Sequence, residues 1–187
     1  MSIVTKTGDA GTTAMMFNRR VPKSHPRVEA CGNVDELNAA LGLARSTADH
    51  AFVQDHLLGI QKDLVLLMGE IATLKEDLPR LTQSGYSIVT PALTLKLDDL
   101  AGQIESQNVA PKDWAFPGAT VSSAALDLAR TACRKAERQI CALKESEEIS
   151  NPEILIYLNR LSDVLWLLAR WVDSKAGLSG QPGEVVA

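Results

Sequence analysis

Apolar side chains recur along most of this chain at spacings of three and four residues, the period that puts them on one side of an α-helix. From about Arg27 to Ala48 the stripe is Ala30, Val34, Leu37, Leu41 and Ala44. The next run, Leu57, Ile60, Leu64, Leu67, Ile71, Leu74 and Leu78, alternates threes and fours as a heptad seam does, and predicts a second helix devoted to packing. Thr90 followed by Pro91 offers an N-cap and a first-turn proline to a third helix, with Leu93, Leu97, Leu100 and Ile104 on its buried edge. After a loop ending in WAFPG, a fourth helix carries Val121, Ala125, Leu128, Ala132, Ala136, Ile140 and Leu143 on one side. Asn151 and Pro152 repeat the cap and first turn for a fifth, which runs to about Lys175 and buries Ile154, Leu158, Leu161, Leu165, Leu168 and Val172. No internal repeat emerges. Five helices joined by connections of ordinary length predict an all-α, antiparallel five-helix bundle over residues 27–175, with an arm at residues 1–26 and a flexible tail at residues 176–187, in a single domain.

Composition narrows the class. A hydrophobic content of 45% with only 4% aromatics suits helices built from Leu, Ala, Ile and Val, and few strands are expected. The formal charge of -4 argues against bulk nucleic-acid binding, which needs a basic surface to displace counterions, so any basic cluster here must be local. Cys31, Cys133 and Cys141 form no CxxC pair and are odd in number, which speaks against a disulfide framework and for a reducing, cytoplasmic setting. No apolar run approaches the roughly 20 residues of a membrane span and the N-terminus carries no secretory pattern, so a soluble chain without a membrane partner is expected.

Several stretches depart from pure packing. In the arm, TKTGDAGTT sets Gly8 and Gly11 among Thr5, Lys6, Thr7, Asp9, Thr12 and Thr13. Glycines let the backbone approach a ligand closely and adopt positive φ, so that successive N–H groups can form an anion-binding nest. The order is not that of a Walker A loop, because Lys6 precedes the glycines, and a disordered arm is the plain alternative. Arg19, Arg20, Lys23 and Arg27 follow as a basic run. On the fourth helix Arg130, Arg134 and Glu137 fall within an arc of about 60° opposite the apolar side, flanked by Arg138. Three guanidinium groups within two turns repel one another unless an anion sits among them; a phosphorylated ligand would serve, and a solvated face is the alternative. On the first helix Cys31, Asp35, Asn38 and Gly42 make a small polar strip able to face another chain or a ligand, while Glu29 and Glu36 point elsewhere as surface or structural groups. Trp114 and Phe116, beside the Pro-Gly turn, either cap a core or line a pocket. Asn159, Asp163, Trp166 and Arg170 lie opposite the buried stripe of the last helix. His25, His50 and His56 supply no paired ExxH pattern of a di-iron bundle.

Three separated blocks, TKTGDAGTT through RVEACGNVDELN, then FPGATVSSAALDLARTACRKAER, then YLNRLSDVLWLLAR, resemble in sequence and in order the signature blocks of the PduO-type ATP:cob(I)alamin adenosyltransferases. The resemblance covers nearly the whole chain. It implies a ferritin-like five-helix bundle in a homotrimer, with sites between adjacent subunits, that moves the 5′-deoxyadenosyl group of ATP onto the cobalt of reduced cobalamin. It further implies Thr5, Lys6, Thr7, Gly8, Thr12, Thr13 and Lys23 of the arm as ATP contacts, with Arg134, Lys135, Glu137, Arg138 and Asn159 completing the nucleotide site. Asp35 and Arg130 match a pair that bridges neighbouring subunits beside the corrin, and Trp114, with Phe116 as its neighbour, takes the place of an aromatic that displaces the corrin's lower ligand. Mg²⁺ is implied on the triphosphate, with no protein ligands identified. A Co(II) reductase and a corrinoid-dependent enzyme receiving the product are implied partners. The chain departs from the family pattern at Trp114 for Phe, Lys135 for Arg, Ala119 for Gly, Asp127 for a frequent His, and Met15, Met16 and Phe17 for smaller residues. Trp114 and Lys135 are the departures that favour the rival reading, a non-catalytic cobalamin carrier or oligomeric scaffold.

Overall fold

A computed structural model describes residues 3–109 and 114–178 of the chain. Six α-helices are found among them: α1 Pro26–Thr47, α2 Ala51–Ile71, α3 Leu78–Gln83, α4 Pro91–Glu105, α5 Val121–Glu145 and α6 Glu153–Lys175. Five of these are the long helices that the periodicity predicts, and the short α3 raises the expected count of five to six. The arm is not featureless: β1 Thr12–Ala14 and β2 Arg20–Pro22 pair antiparallel, with Thr13 opposite Val21, around a 3-10 turn at Met16–Asn18. Strands of three residues are too short to announce themselves by alternation.

α1 packs on α2 and α5, α5 on α6, and α6 on α4, enclosing one core that includes Leu37, Leu41, Leu57, Leu64, Leu126, Ile140, Leu158 and Leu165. Local chemistry sets the ends. His25 caps α1 by accepting from Arg27 N at 3.2 Å, ahead of a first-turn proline. Thr120 and Ser123 form a reciprocal capping box at α5. Asn151 Oδ1 accepts from Glu153 N at 3.0 Å at the start of α6, while its Nδ2 reaches Glu70 Oε1 at 2.8 Å. The buried Glu70 also accepts from Val89 N at 2.8 Å, which ties the segment before α4 to α2.

Two differences from the periodic pattern have physical causes. The heptad seam continues through Leu74 and Leu78, yet α2 stops at Ile71. Here the guanidinium of Arg27, 1% exposed, donates to Ile71 O at 2.8 Å and Thr73 O at 2.7 Å, taking carbonyls that a continuing helix would use internally. Its Nε and Nη2 reach Glu148 Oε2 and Glu148 O in the α5 to α6 linker. The buried side of α5 is also wider than the expected stripe. Val121 and Leu128 are exposed, whereas Ser122, Leu126, Asp127, Ala129 and Cys133 are buried along with Ala125, Ala132, Ala136, Ile140 and Leu143. The helix lies between α1 and α6, and two neighbours cover a broader arc than one.

Replacing Arg27 with Met should lower stability by about 3 kcal/mol, because the buried carbonyls of Ile71 and Thr73 lose a charged donor. Urea unfolding should show the midpoint displaced at unchanged slope.

Candidate active site

The glycine-bearing loop is fastened at its base. Met16 N donates to Ala72 O at 3.0 Å, Arg19 forms a two-pronged pair with Asp77 at 2.6 and 3.0 Å, and the guanidinium of Arg80 lies 4.3 Å over the Phe17 ring. Phe17 and Asn18 adopt φ of 57° and 59°, which turns the chain sharply between the two strands. Met15 is buried in the same anchor. The bulky departures at Met15 and Phe17 thus serve to hold the hairpin onto the end of α2 and the start of α3.

From this base the loop is shaped for close approach. Gly11 sits at φ 77° and Lys6 at φ 56°, and Lys23 N donates to Gly11 O at 2.9 Å. A Cβ on Gly8 would lie 3.2 Å from Lys23 Nζ, so the absent side chain is what lets that ammonium lie against the loop. Arg20 Nη2 donates to Thr7 O at 2.7 Å and to Thr12 Oγ1 at 2.5 Å, and Thr5 and Thr7 hydroxyls meet at 2.9 Å. Of the expected arm residues, Gly8 and Lys23 are therefore brought together, Thr7 and Thr12 are joined through Arg20, and Thr13 lies in β1.

Cations between 130 and 138 on α5 divide into two kinds. Arg130 Nε donates to Asp127 Oδ1 at 3.1 Å, and Lys135 Nζ pairs with Glu36 Oε2 of α1 at 2.6 Å. Arg134 and Arg138 are exposed and make no hydrogen bond or ion pair among the described residues. Glu137 is half-buried one turn from Arg134. Cys133, buried on the same helix, donates to Leu158 O at 3.2 Å; burial pushes its thiol far up, Glu137 and Asp163 add to the rise, and Arg134 opposes it. Arg134 and Glu137 of α5 and Asp163 of α6 thus all act on this one thiol, and Asn159 is exposed one turn before Asp163.

Other expected members stand apart. Asp35 is exposed on α1 and has no hydrogen bond or ion pair among the described residues, so Arg130 is engaged with Asp127 and not with Asp35 inside one chain. No hydrogen bond or ion pair among the described residues joins residues 5–13 to α5. Trp114 is 83% exposed and Phe116 is 55% exposed, which removes the core-capping alternative for both. Two open grooves, about 380 Å³ between α4 and α6 and about 230 Å³ between α2 and α4, contain none of the expected site residues. Among the described residues no group of three or more His, Cys, Asp or Glu side chains is placed to hold a metal.

Sequence reasoning did not separate the structural arginines from the free ones. Arg19 and Arg27 are fasteners, Arg20 pins the loop, and Arg170, expected on the outer strip of α6, is 4% exposed with Nη2 at 2.7 Å from Asp127 Oδ2. The spacing of Asp127 to Arg130 and of Arg170 to Asp173, three residues on a helix in each case, was the available signal.

The family model described as Cobalamin adenosyltransferase matches residues 3–172. The corrinoid adenosyltransferase PduO of Citrobacter freundii is 40% identical over 94% of this chain, but the chain spans only 51% of that relative's length, as it does for the Salmonella typhimurium counterpart. The cobalamin adenosyltransferase of Cupriavidus metallidurans is 36% identical over 94% of this chain and 90% of its own length. A variant PduO-type ATP:corrinoid adenosyltransferase from Lactobacillus reuteri, solved with cobalamin and ATP, superposes with a TM-score of 0.84 at 34% identity, over 94% of this chain and 96% of that one.

The hairpin anchor carries a pH signature. Hydrogen bonding from Arg19, aided by its charge and that of Arg80, holds the Asp77 carboxyl below its ordinary 3.8 against the opposing effect of burial. Its contribution to stability is thus complete above that value and is lost as pH falls through the lower folded value. Protection of the Met15 and Met16 amides, relative to their intrinsic exchange rates at each pH, should fall on acidification below about pH 4, and Asp77→Asn should show weaker protection at neutral pH with a flatter acid response.

Proposed function

The chain belongs to the cobalamin adenosyltransferase family, and on that premise we propose that it transfers the 5′-deoxyadenosyl group of ATP to the Co(I) centre of reduced cobalamin, releasing inorganic triphosphate. The observation that carries this reading is the pair Arg134 and Arg138, two exposed guanidinium groups that make no ion pair among the described residues, on the same helix face as the half-buried Glu137. A triphosphate supplies the missing anion.

The electron pair of Co(I) attacks C5′, a Co–C bond forms, the C5′–O bond breaks, and triphosphate leaves with the bonding electrons. No general base is needed, so the protein's work is alignment, charge stabilisation and exclusion of water. Thr5, Lys6, Thr7, Gly8, Thr12, Thr13 and Lys23 receive the triphosphate on the pinned loop, and Arg134, Lys135 and Arg138 supply further positive charge. Glu137 and Asn159 hold the nucleoside end at the α5 and α6 seam. Mg²⁺ accompanying the nucleotide would supply further positive charge to the leaving triphosphate. Trp114 and Phe116, both exposed, offer aromatic surface to the corrin, and Trp114 takes the role of excluding its lower ligand.

The working unit is a homotrimer with sites between subunits. Supporting this are the lack of any hydrogen bond or ion pair joining residues 5–13 to α5 among the described residues, the unpartnered Asp35, and the apolar Leu43, Val121 and Leu128 exposed on α1 and α5. In such an assembly Asp35 of one copy meets Arg130 of the next beside the corrin. A cytoplasmic setting, Co(I) supplied by a reductase and delivery of the product to a corrinoid-dependent enzyme complete the reading.

With ATP, Mg²⁺ and chemically reduced cobalamin, the absorbance of adenosylcobalamin should develop well above a protein-free control; no excess product would leave the carrier or scaffold reading in its place. Arg134→Ala should weaken ATP binding by about 1.5 to 3 kcal/mol, the worth of a charge-assisted contact, as titration calorimetry can read. An unchanged affinity in a correctly folded oligomer would remove Arg134 from the phosphate site. Asp35→Ala should raise the KM for cob(I)alamin more than that for ATP, and equal losses would make Asp35 a general structural residue.

A further inference from the structure

Charges alternate in sign from the surface of α5 into the core of the bundle. Arg130, 26% exposed at its side chain, meets Asp127; Asp127 meets Arg170; Arg170 meets Asp173, and these last three side chains are 4%, 4% and 9% exposed. Asp127 spends one oxygen on each arginine, Oδ1 accepting from Arg130 Nε at 3.1 Å and Oδ2 from Arg170 Nη2 at 2.7 Å. Arg170 Nε stands 3.1 Å from Asp173 Oδ2, and its guanidinium lies 5.9 Å from the Trp166 ring. Two positive and two negative groups cancel, so the row needs no ligand for neutrality. Its effect is mechanical.

An arginine on a helix surface ordinarily samples many rotamers. Here Asp127 is buried and has both oxygens occupied by groups on two helices, so it cannot follow a moving partner. Because it takes Arg130 through Nε, both terminal nitrogens of that guanidinium remain without a hydrogen bond among the described residues, on the edge that suits a two-pronged contact with an oxyanion. Arg134, one turn later, has no such brace. We infer that Asp127, fixed by Arg170, is a positioning residue that sets the direction in which the Arg130 guanidinium leaves α5 and thereby the productive placement of the corrinoid. This rests on the reading of Arg130 as part of the corrinoid-side surface.

The test is a double-mutant cycle on the full chain, with KM measured separately for cob(I)alamin and ATP. Asp127→Asn, which keeps shape and removes the charge, should raise the KM for cob(I)alamin about tenfold, the scale of a misdirected contact, and leave that for ATP unchanged. In an Arg130→Ala background the same substitution should add nothing. Arg170→Lys, which keeps charge but not the fork, should shift the corrinoid KM in the same direction by less. If Asp127→Asn does not fold, Asp127→Glu is read in its place with the same expectation. Lower stability with both KM values unchanged, or an effect that persists undiminished without Arg130, would overturn the inference. An Arg130→Ala variant with an unaltered corrinoid KM would instead overturn the placement of Arg130 itself.

Discussion

The guanidinium of Arg27 is the contact on which the arm-bearing end of the bundle depends. A charge withdrawn from water must be met by oxygen atoms, and Arg27 finds Ile71 O and Thr73 O at the end of α2 and both Glu148 O and Glu148 Oε2 beyond α5. One side chain in the first turn of α1 thus fixes the ends of two other long helices. The hairpin hangs on the same corner, through Met16 N to Ala72 O and Arg19 to Asp77. The segment that would otherwise be a polar tether is presented from a defined base, and ordering it around a ligand costs less conformational entropy for that reason.

Around the arm and along α5 and α6, the cations differ in how far they are taken from water and in what meets them. Arg27 and Arg170 are nearly inaccessible, and the first is met by four oxygens and the second by one from each of two carboxylates. Arg19, Arg130 and Lys135 sit at partial exposure, each with one carboxylate. Arg134, Arg138 and Lys23, all exposed, have no ion pair among the described residues. The pair of Lys135 and Glu36 belongs to the weak end of the series despite its 2.6 Å separation, because its side chains are 48% and 56% exposed. A bridge of that kind contributes roughly 0 to 1 kcal/mol, less than a charge-assisted contact to phosphate, so on the proposed reading Lys135 leaves Glu36 for the nucleotide at small cost.

What could be read from the sequence followed from local period. The five long helices lie where apolar residues recur at threes and fours, and all six residues expected on the buried stripe of α6 are buried. The end of α2 was illegible because Leu74 and Leu78 continue the seam past the point where Arg27, distant in sequence, intercepts the carbonyls. Val121 and Leu128 share the apolar period of α5 but face out because its buried arc is displaced toward Leu126, Asp127 and Cys133; the buried Asp127 is tolerated there through Arg130 and Arg170. The same limit applies to the candidate site. TKTGDAGTT and the arginine face of α5 are visible as motifs, but which arginine fastens and which remains free is decided by partners that periodicity does not reveal.

On the proposed reading, the separation of the site's parts within one chain has an energetic logic. Arg134 and Arg138 repel each other on α5, and Lys6 and Lys23 add positive charge to the arm, so bringing the two sets together without an anion would be unfavourable. Distributing them over different copies keeps each tolerable in water. Apolar contact through residues such as Leu43, Val121 and Leu128, each worth about 1.5 to 3 kcal/mol if fully buried, would offset the repulsion that assembly introduces. The triphosphate then supplies the remaining countercharge, and the water displaced by closure strengthens each contact it makes. Binding of nucleotide and completion of the site become one event, which is the condition under which a reduced, easily oxidised cobalt can be held beside C5′ only when its acceptor is already in place.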